Sequence, residues 1–70
     1  MAFSSVAIDR IKLNVAMARK DYGLRELSNI SGVSITSLSY IRSGKRCMKK
    51  TADAIAEALG ITTEEILLKQ

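Results

Sequence analysis

Residues 24–44, LRELSNISGVSITSLSYIRSG, decide how this chain is read. Leu24, Leu27 and Ile30 recur at helical spacing, Gly32 interrupts them, and Ser34 opens a second run that places Leu38 and Ile41 on one face. The pattern predicts two short helices joined by a tight turn, a helix-turn-helix over 24–44. Gly32 sits where the backbone must turn left-handed, and a residue without Cβ adopts positive φ at little cost. Val33 is expected to plug the angle between the two helices. The Ser34 hydroxyl is placed to accept from the amide of Thr36 or Ser37, and Gly44 ends the second helix.

The residues that follow are cationic. Arg42, Lys45, Arg46, Lys49 and Lys50 fall within nine positions that hold no acid. From Leu27 to Ala52 the chain carries five cations and no anion, whereas the remaining residues carry six cations and seven anions. The net charge of +4 is therefore local, +5 in one segment against −1 elsewhere. A cluster of this kind suits a phosphate backbone.

Outward from this motif the chain reads as helix after helix. Seventy residues are expected to make one domain, over 1–70, and a chain this short buries only about 60% of its unfolded surface. Phe3, Tyr22 and Tyr40 are the only aromatics, so the core must be built from Leu, Ile, Val, Ala and Met. Apolar spacings of three and four favour an all-α bundle, and no strand alternation stands out. A first helix is predicted from Phe3 to Lys20, capped by Ser4 or Ser5, with Asp9 near the positive end of its dipole. It carries two apolar stripes, Ile8, Ile11, Val15 and Ala18 on one side and Val6, Leu13 and Met17 nearly opposite. One stripe must find cover, either under the C-terminal helix or against a second subunit. Asp21 to Gly23 break the chain before the helix-turn-helix. A fourth helix is predicted from Lys49 to Leu59 and stopped by Gly60. Thr62 and Glu65 form a capping box that opens a short fifth helix through Ile66, Leu67 and Leu68.

Several function classes lose support at once. The chain has no histidine, no phosphate-binding glycine loop and no metal-ligand spacing, so no catalytic residue, metal or cofactor is expected. Cys47 stands alone and cannot pair within the chain, and the first thirty residues lack a signal-peptide pattern, which points to a cytoplasmic location. Without histidine nearby, Cys47 reads as an ordinary thiol. No apolar run approaches the roughly 18 residues that span a bilayer.

The residues GVSITSLSYIRSGKR, followed by TADAIAEALGITTEEIL, resemble the Cro/repressor-type (XRE) helix-turn-helix family of phage and bacterial regulators. The resemblance covers roughly Leu13 to Leu68. It rests on Leu27-Ser28 in the second helix, Gly-Val-Ser before the third, Gly44-Lys45 after it, and Ile-Ala-x-Ala-Leu-Gly over Ile55 to Gly60. It implies a compact five-helix, lambda-repressor-like DNA-binding domain whose third helix enters the major groove. Dimers of such domains commonly read inverted repeats. Leu24 and Ile35 stand where members often carry glutamine, and Met17 and Arg42 where many pair an arginine with a glutamate.

With Leu38 and Ile41 inward, the opposite face of the third helix presents Ile35, Thr36, Ser39 and Tyr40 as base-reading candidates. Thr36 and Ser39 can exchange hydrogen bonds with base edges, Tyr40 can donate its hydroxyl, and Ile35 can meet a thymine methyl. No side chain there offers a bidentate Arg-guanine or Gln-adenine pairing, so modest direct readout, AT preference and reliance on DNA shape are expected. Backbone contacts are assigned to the amides near Leu24 and Arg25 and to Ser37, Ser43, Lys45, Arg46, Lys49 and Lys50. Arg42 either reaches phosphate or lies over the first helix. About five neutralised phosphates per subunit would give a salt slope near −4 to −5.

The leading expectation is a sequence-specific transcriptional regulator, a repressor that acts by occupying promoter DNA as a homodimer. The DNA-binding antitoxin or restriction-modification controller of a two-gene system would look the same in sequence. A different class is a protein-interaction module, in which the spare stripe of the first helix or Leu67 and Leu68 meet another protein.

Overall fold

Asp9 is where the helical part of the chain begins. Its carboxylate accepts from the amides of Ile11 (2.9 Å) and Lys12 (3.2 Å), which satisfies two of the first-turn donors that have no partner inside a helix. The computed structural model describes residues 5–68. Helix α1 spans Arg10–Lys20, α2 Leu24–Ser31, α3 Ile35–Arg42 and α4 Lys49–Leu59. Two short strands, β1 (Ser5–Val6) and β2 (Cys47–Met48), pair antiparallel, with Ser5 opposite Met48 and Val6 opposite Cys47. A single 3₁₀ turn covers Thr63–Glu65.

The first helix is therefore shorter than its apolar pattern predicts. Ser5 is a strand residue and not a cap, while the alternative start at Phe3 and Ser4 lies outside the described residues. The backbone from Ser5 to Asp9 is extended because it has partners on both sides. It pairs with β2 on one edge; on the other, the Asp9 amide donates to the Ile66 carbonyl (2.8 Å) and the Leu68 amide to the Ala7 carbonyl (2.9 Å). Ile8 and Leu67 form an antiparallel bridge within this seam. Asp9→Ala is expected to lower stability by about 1 kcal/mol. Urea denaturation checks this, with Asp9→Asn retaining most of the lost stability.

The seam also replaces the predicted fifth helix. Thr62 and Glu65 do form the capping box, the Thr62 amide donating to the Glu65 carboxylate at 2.9 Å, but only a 3₁₀ turn follows. Ile66 to Leu68 then run alongside Ala7 to Asp9, and Ile66 is fully buried. Four α-helices are present among the described residues, with a two-stranded sheet that alternation in the sequence does not announce.

Helix α2 has the expected bounds, whereas α3 ends at Arg42 and is capped by Ser43, two residues short of the predicted stop at Gly44. Gly32 turns left-handed at φ 79°, and its amide donates to the Ser28 carbonyl at 2.9 Å. Val33 is half-buried and packs against the core. Ser34 caps α3 by accepting from the Ser37 amide at 3.1 Å. The Gly23 amide donates to the Glu26 carboxylate at 2.9 Å, which fixes the start of α2.

Leu13, Leu27, Leu38, Ile55, Leu59 and Ile66 are the large side chains closed off from solvent. They come one each from α1, α2 and α3, two from α4, and one from the C-terminal segment, so every helix contributes to one apolar centre. Of the two stripes on the first helix, the one with Leu13 and Met17 faces inward, joined by Ala16. Ile8 is buried from the seam, whereas Ile11 is 70% exposed and Val15 46% exposed. The C-terminal segment covers Ile8 of that second stripe and leaves Ile11 and Val15 open. No helix of the described residues is long and apolar enough to cross a membrane.

Candidate nucleic-acid interface

The surface of α3 follows from what its buried side holds. Leu38 and Ile41 are 0% and 3% exposed, which turns the opposite side of an eight-residue helix outward. Ile35, Thr36, Ser39 and Tyr40 are all exposed there, Ile35 at 44% and Tyr40 at 60%. An exposed tyrosine and isoleucine beside two hydroxyls make a strip that can both hydrogen-bond and meet a methyl group.

The hydroxyls around this strip differ in what they can still donate. Ser34 Oγ–H donates to Ser37 Oγ (2.9 Å), which leaves the Ser37 hydrogen for an outside acceptor. Ser43 Oγ–H donates to the Tyr40 carbonyl at 2.7 Å, closing the end of α3. Its single donor is used, so Ser43 has no hydrogen for a phosphate in this rotamer.

The cations are similarly sorted. Arg46 holds β1, its Nε donating to Ser5 Oγ (3.0 Å) and a terminal nitrogen to the Ser5 carbonyl (2.7 Å). A guanidinium has five N–H donors, so this leaves it able to meet an anion as well. Lys49 pairs with Asp53 one turn along α4 at 3.3 Å. An exposed pair of this spacing is weakly held and opens readily. Arg25, Lys45 and Lys50 are exposed, and none has a hydrogen-bond or ion-pair partner among the described residues. Leu24 is half-buried against the core and leads the first turn of α2, where main-chain amides lack acceptors within the helix. The Glu26 carboxylate takes the Gly23 amide there.

Arg42 lies over the first helix. It is half-buried in a cleft with Ile8, Asp9, Arg10 and Ile11, and its Nε is buried with no partner among the described residues. Met17, across the core, is 6% exposed and purely apolar. Met17 and Arg42, where the resemblance implies a paired arginine and glutamate, are thus one buried thioether and one guanidinium lying over α1.

Two titrating groups are perturbed, neither in a way that suggests chemistry. Burial pushes the Cys47 thiol up, only partly opposed by the Arg46 charge, which keeps it protonated and unreactive at neutral pH. The Asp53 carboxyl is held down chiefly by the Thr63 hydroxyl that donates to it, with Lys49 adding to the effect. This carboxylate ties the 3₁₀ turn to α4. Among the described residues no three His, Cys, Asp or Glu side chains gather as a metal site.

No curated protein matches the sequence. A mutant of hydroxyethylphosphonate dioxygenase contains a segment of the same fold, with a TM-score of 0.79 at 22% identity over 90% of this chain. Native PhpD with cadmium atoms gives 0.78 at the same identity. The chain spans only 14% of the length of each of those proteins, and the likeness concerns the fold alone. The family model of the Cro/C1-type HTH DNA-binding domain matches residues 12–68, from the first turn of α1 through the 3₁₀ turn and the seam. The chain belongs to that Cro/C1-type helix-turn-helix family.

Proposed function

We propose that this chain is a sequence-specific double-stranded DNA-binding domain that regulates transcription by occupying a promoter, as a repressor does. One observation carries the reading: the outward face of α3 bears Ile35, Thr36, Ser39 and Tyr40 at the edge of an acid-free run of cations. In this reading α3 enters the major groove with those four side chains against base edges. Arg25, Lys45, Lys50 and the remaining donors of Arg46 meet phosphates on either side, together with Ser37 and the amides near Leu24. Lys49 adds long-range attraction once its pair with Asp53 opens. Nothing in the site is asked to make or break a bond, so the function is binding and not catalysis.

Two copies on an inverted repeat would place their recognition helices about 34 Å apart, matching half-sites one turn apart. Leu68 is the one exposed large apolar residue of the C-terminal seam, at 53%. The self-contact it offers is small, so pairing is expected on DNA more than in free solution. Sedimentation with and without a palindromic duplex checks this, and a single copy per duplex at saturation would reject it.

Four cations able to reach a phosphate predict that log K falls with log salt at a slope of about −3 to −4 per subunit. Lys45→Gln with Arg46→Gln is expected to reduce that slope by about 2 and to weaken all sequences alike. Fluorescence anisotropy across a salt series measures both quantities. A slope near zero in the unaltered protein would reject the mechanism.

A further inference from the structure

The exposed stripe of α1 does not end in open solvent. Ile11 and Val15, one helical turn apart, form one wall of a groove of about 510 Å³ whose other side is Leu59, Gly60 and Ile61 at the end of α4. Its rim carries Lys12, Arg19 and Lys20, against one acid, Glu65. The Glu65 carboxylate is already engaged, accepting from both the amide and the hydroxyl of Thr62. The three cations have no ion-pair or side-chain hydrogen-bond partner among the described residues.

We propose that this groove receives an acidic amphipathic helix from a protein partner, with apolar anchors on Ile11, Val15 and Ile61 and carboxylates opposite Lys12, Arg19 and Lys20. Spacing supports a helix as occupant, because anchors at i, i+4 and i+7 match a wall whose own apolar groups are one turn apart. Charge selects its sign. Helix α1 holds Arg10, Lys12, Arg19 and Lys20 and no acid between Arg10 and Lys20, so a second copy laid across it would oppose like charges along the whole seam. Duplex DNA matches the charge but not the floor, since phosphates gain nothing from an isoleucine that is 70% exposed. The inference does not depend on DNA binding.

The test uses two synthetic helical peptides with the same leucines at i, i+4 and i+7, one flanked by glutamates and the other by lysines. Methyl resonances of Ile11, Val15 and Ile61 are followed by NMR. The glutamate peptide is expected to shift all three saturably and to bind at least about tenfold more tightly than the lysine peptide. Lys12→Glu with Arg19→Glu, the first half-buried and the second exposed on α1, is expected to reverse that preference, and Ile11→Asp to abolish binding of either peptide. Lys45→Gln with Arg46→Gln is expected to leave peptide binding unchanged, which separates this site from the DNA surface. Equal binding of the two peptides, or no shift of these methyls, overturns the proposal. So do shifts that grow with protein concentration alone, which would indicate a second copy, or shifts produced by duplex DNA.

Discussion

Replacing Leu38 with alanine is expected to remove about 3–4 kcal/mol of stability. Leu38 is fully enclosed, and truncating such a leucine costs about 2.7–5 kcal/mol because the cavity left behind collapses only partly. A chain of 70 residues holds in total about 4–10 kcal/mol, so one side chain accounts for a large share. The position matters for a second reason. Leu38 is the buried residue that sets which side of α3 faces out, so its loss loosens the helix on which the proposed readout depends. Urea unfolding followed by circular dichroism measures the change, and Leu38→Met, which conserves volume, is expected to cost less than about 1.5 kcal/mol. A loss below about 1 kcal/mol for the alanine variant would mean that the side chain is not enclosed.

The second large effect is functional. Changing Thr36, Ser39 and Tyr40 together to alanine is expected to weaken binding to the preferred DNA sequence by at least about tenfold, since single, non-bidentate hydrogen bonds contribute about 0.5–1.5 kcal/mol each. Binding to arbitrary DNA and the salt slope are expected to stay near their original values, because the phosphate-facing cations remain. All three residues are exposed, so the helical spectrum and the urea midpoint should change little. Selection of bound sequences from random DNA, run in parallel on both proteins, gives the answer directly. A consensus that is the same for both would remove base reading from this face, whatever the affinity.

The helix-turn-helix was legible because its signals are local. Gly32, Ser34 and the apolar spacing through Leu27, Leu38 and Ile41 each act within one or two turns, and the boundaries of α2 and α4 follow from such signals. The two ends of the chain were harder. Ser5 and Val6 look helical only because Val6 is in phase with Leu13 and Met17; what makes them a strand is a partner more than forty residues away, at Met48 and Cys47. Asp9 was the available sign. An acceptor followed by the in-phase run Leu13, Ala16 and Met17 reads as a cap, whereas a helix begun at Phe3 leaves its carboxylate only a dipole effect. The C-terminal turn failed in the same way, since the capping box is local but the strand-like path of Ile66 to Leu68 depends on Ala7 and Asp9. In the interface, exposure of α3 could be inferred from its buried side. The state of individual donors could not. That Ser43 closes its own helix, that Arg46 grips Ser5 and that Lys49 faces Asp53 are matters of distance which spacing alone does not give.

The clasp between Arg46 and Ser5 bears on the order in which the molecule assembles and comes apart. It is built from residues separated by 41 positions, beside a bridge from Ile8 to Leu67, so both close long loops. Long loops are slow to form, and segments held at the surface by few enclosed contacts are the first to loosen. Amide exchange at Asp9 and Leu68 should accordingly outpace that of the α2 and α4 interiors. Opening at the Arg46–Ser5 contact returns two guanidinium donors to solvent, and none of the four helices depends on that contact for its own hydrogen bonds.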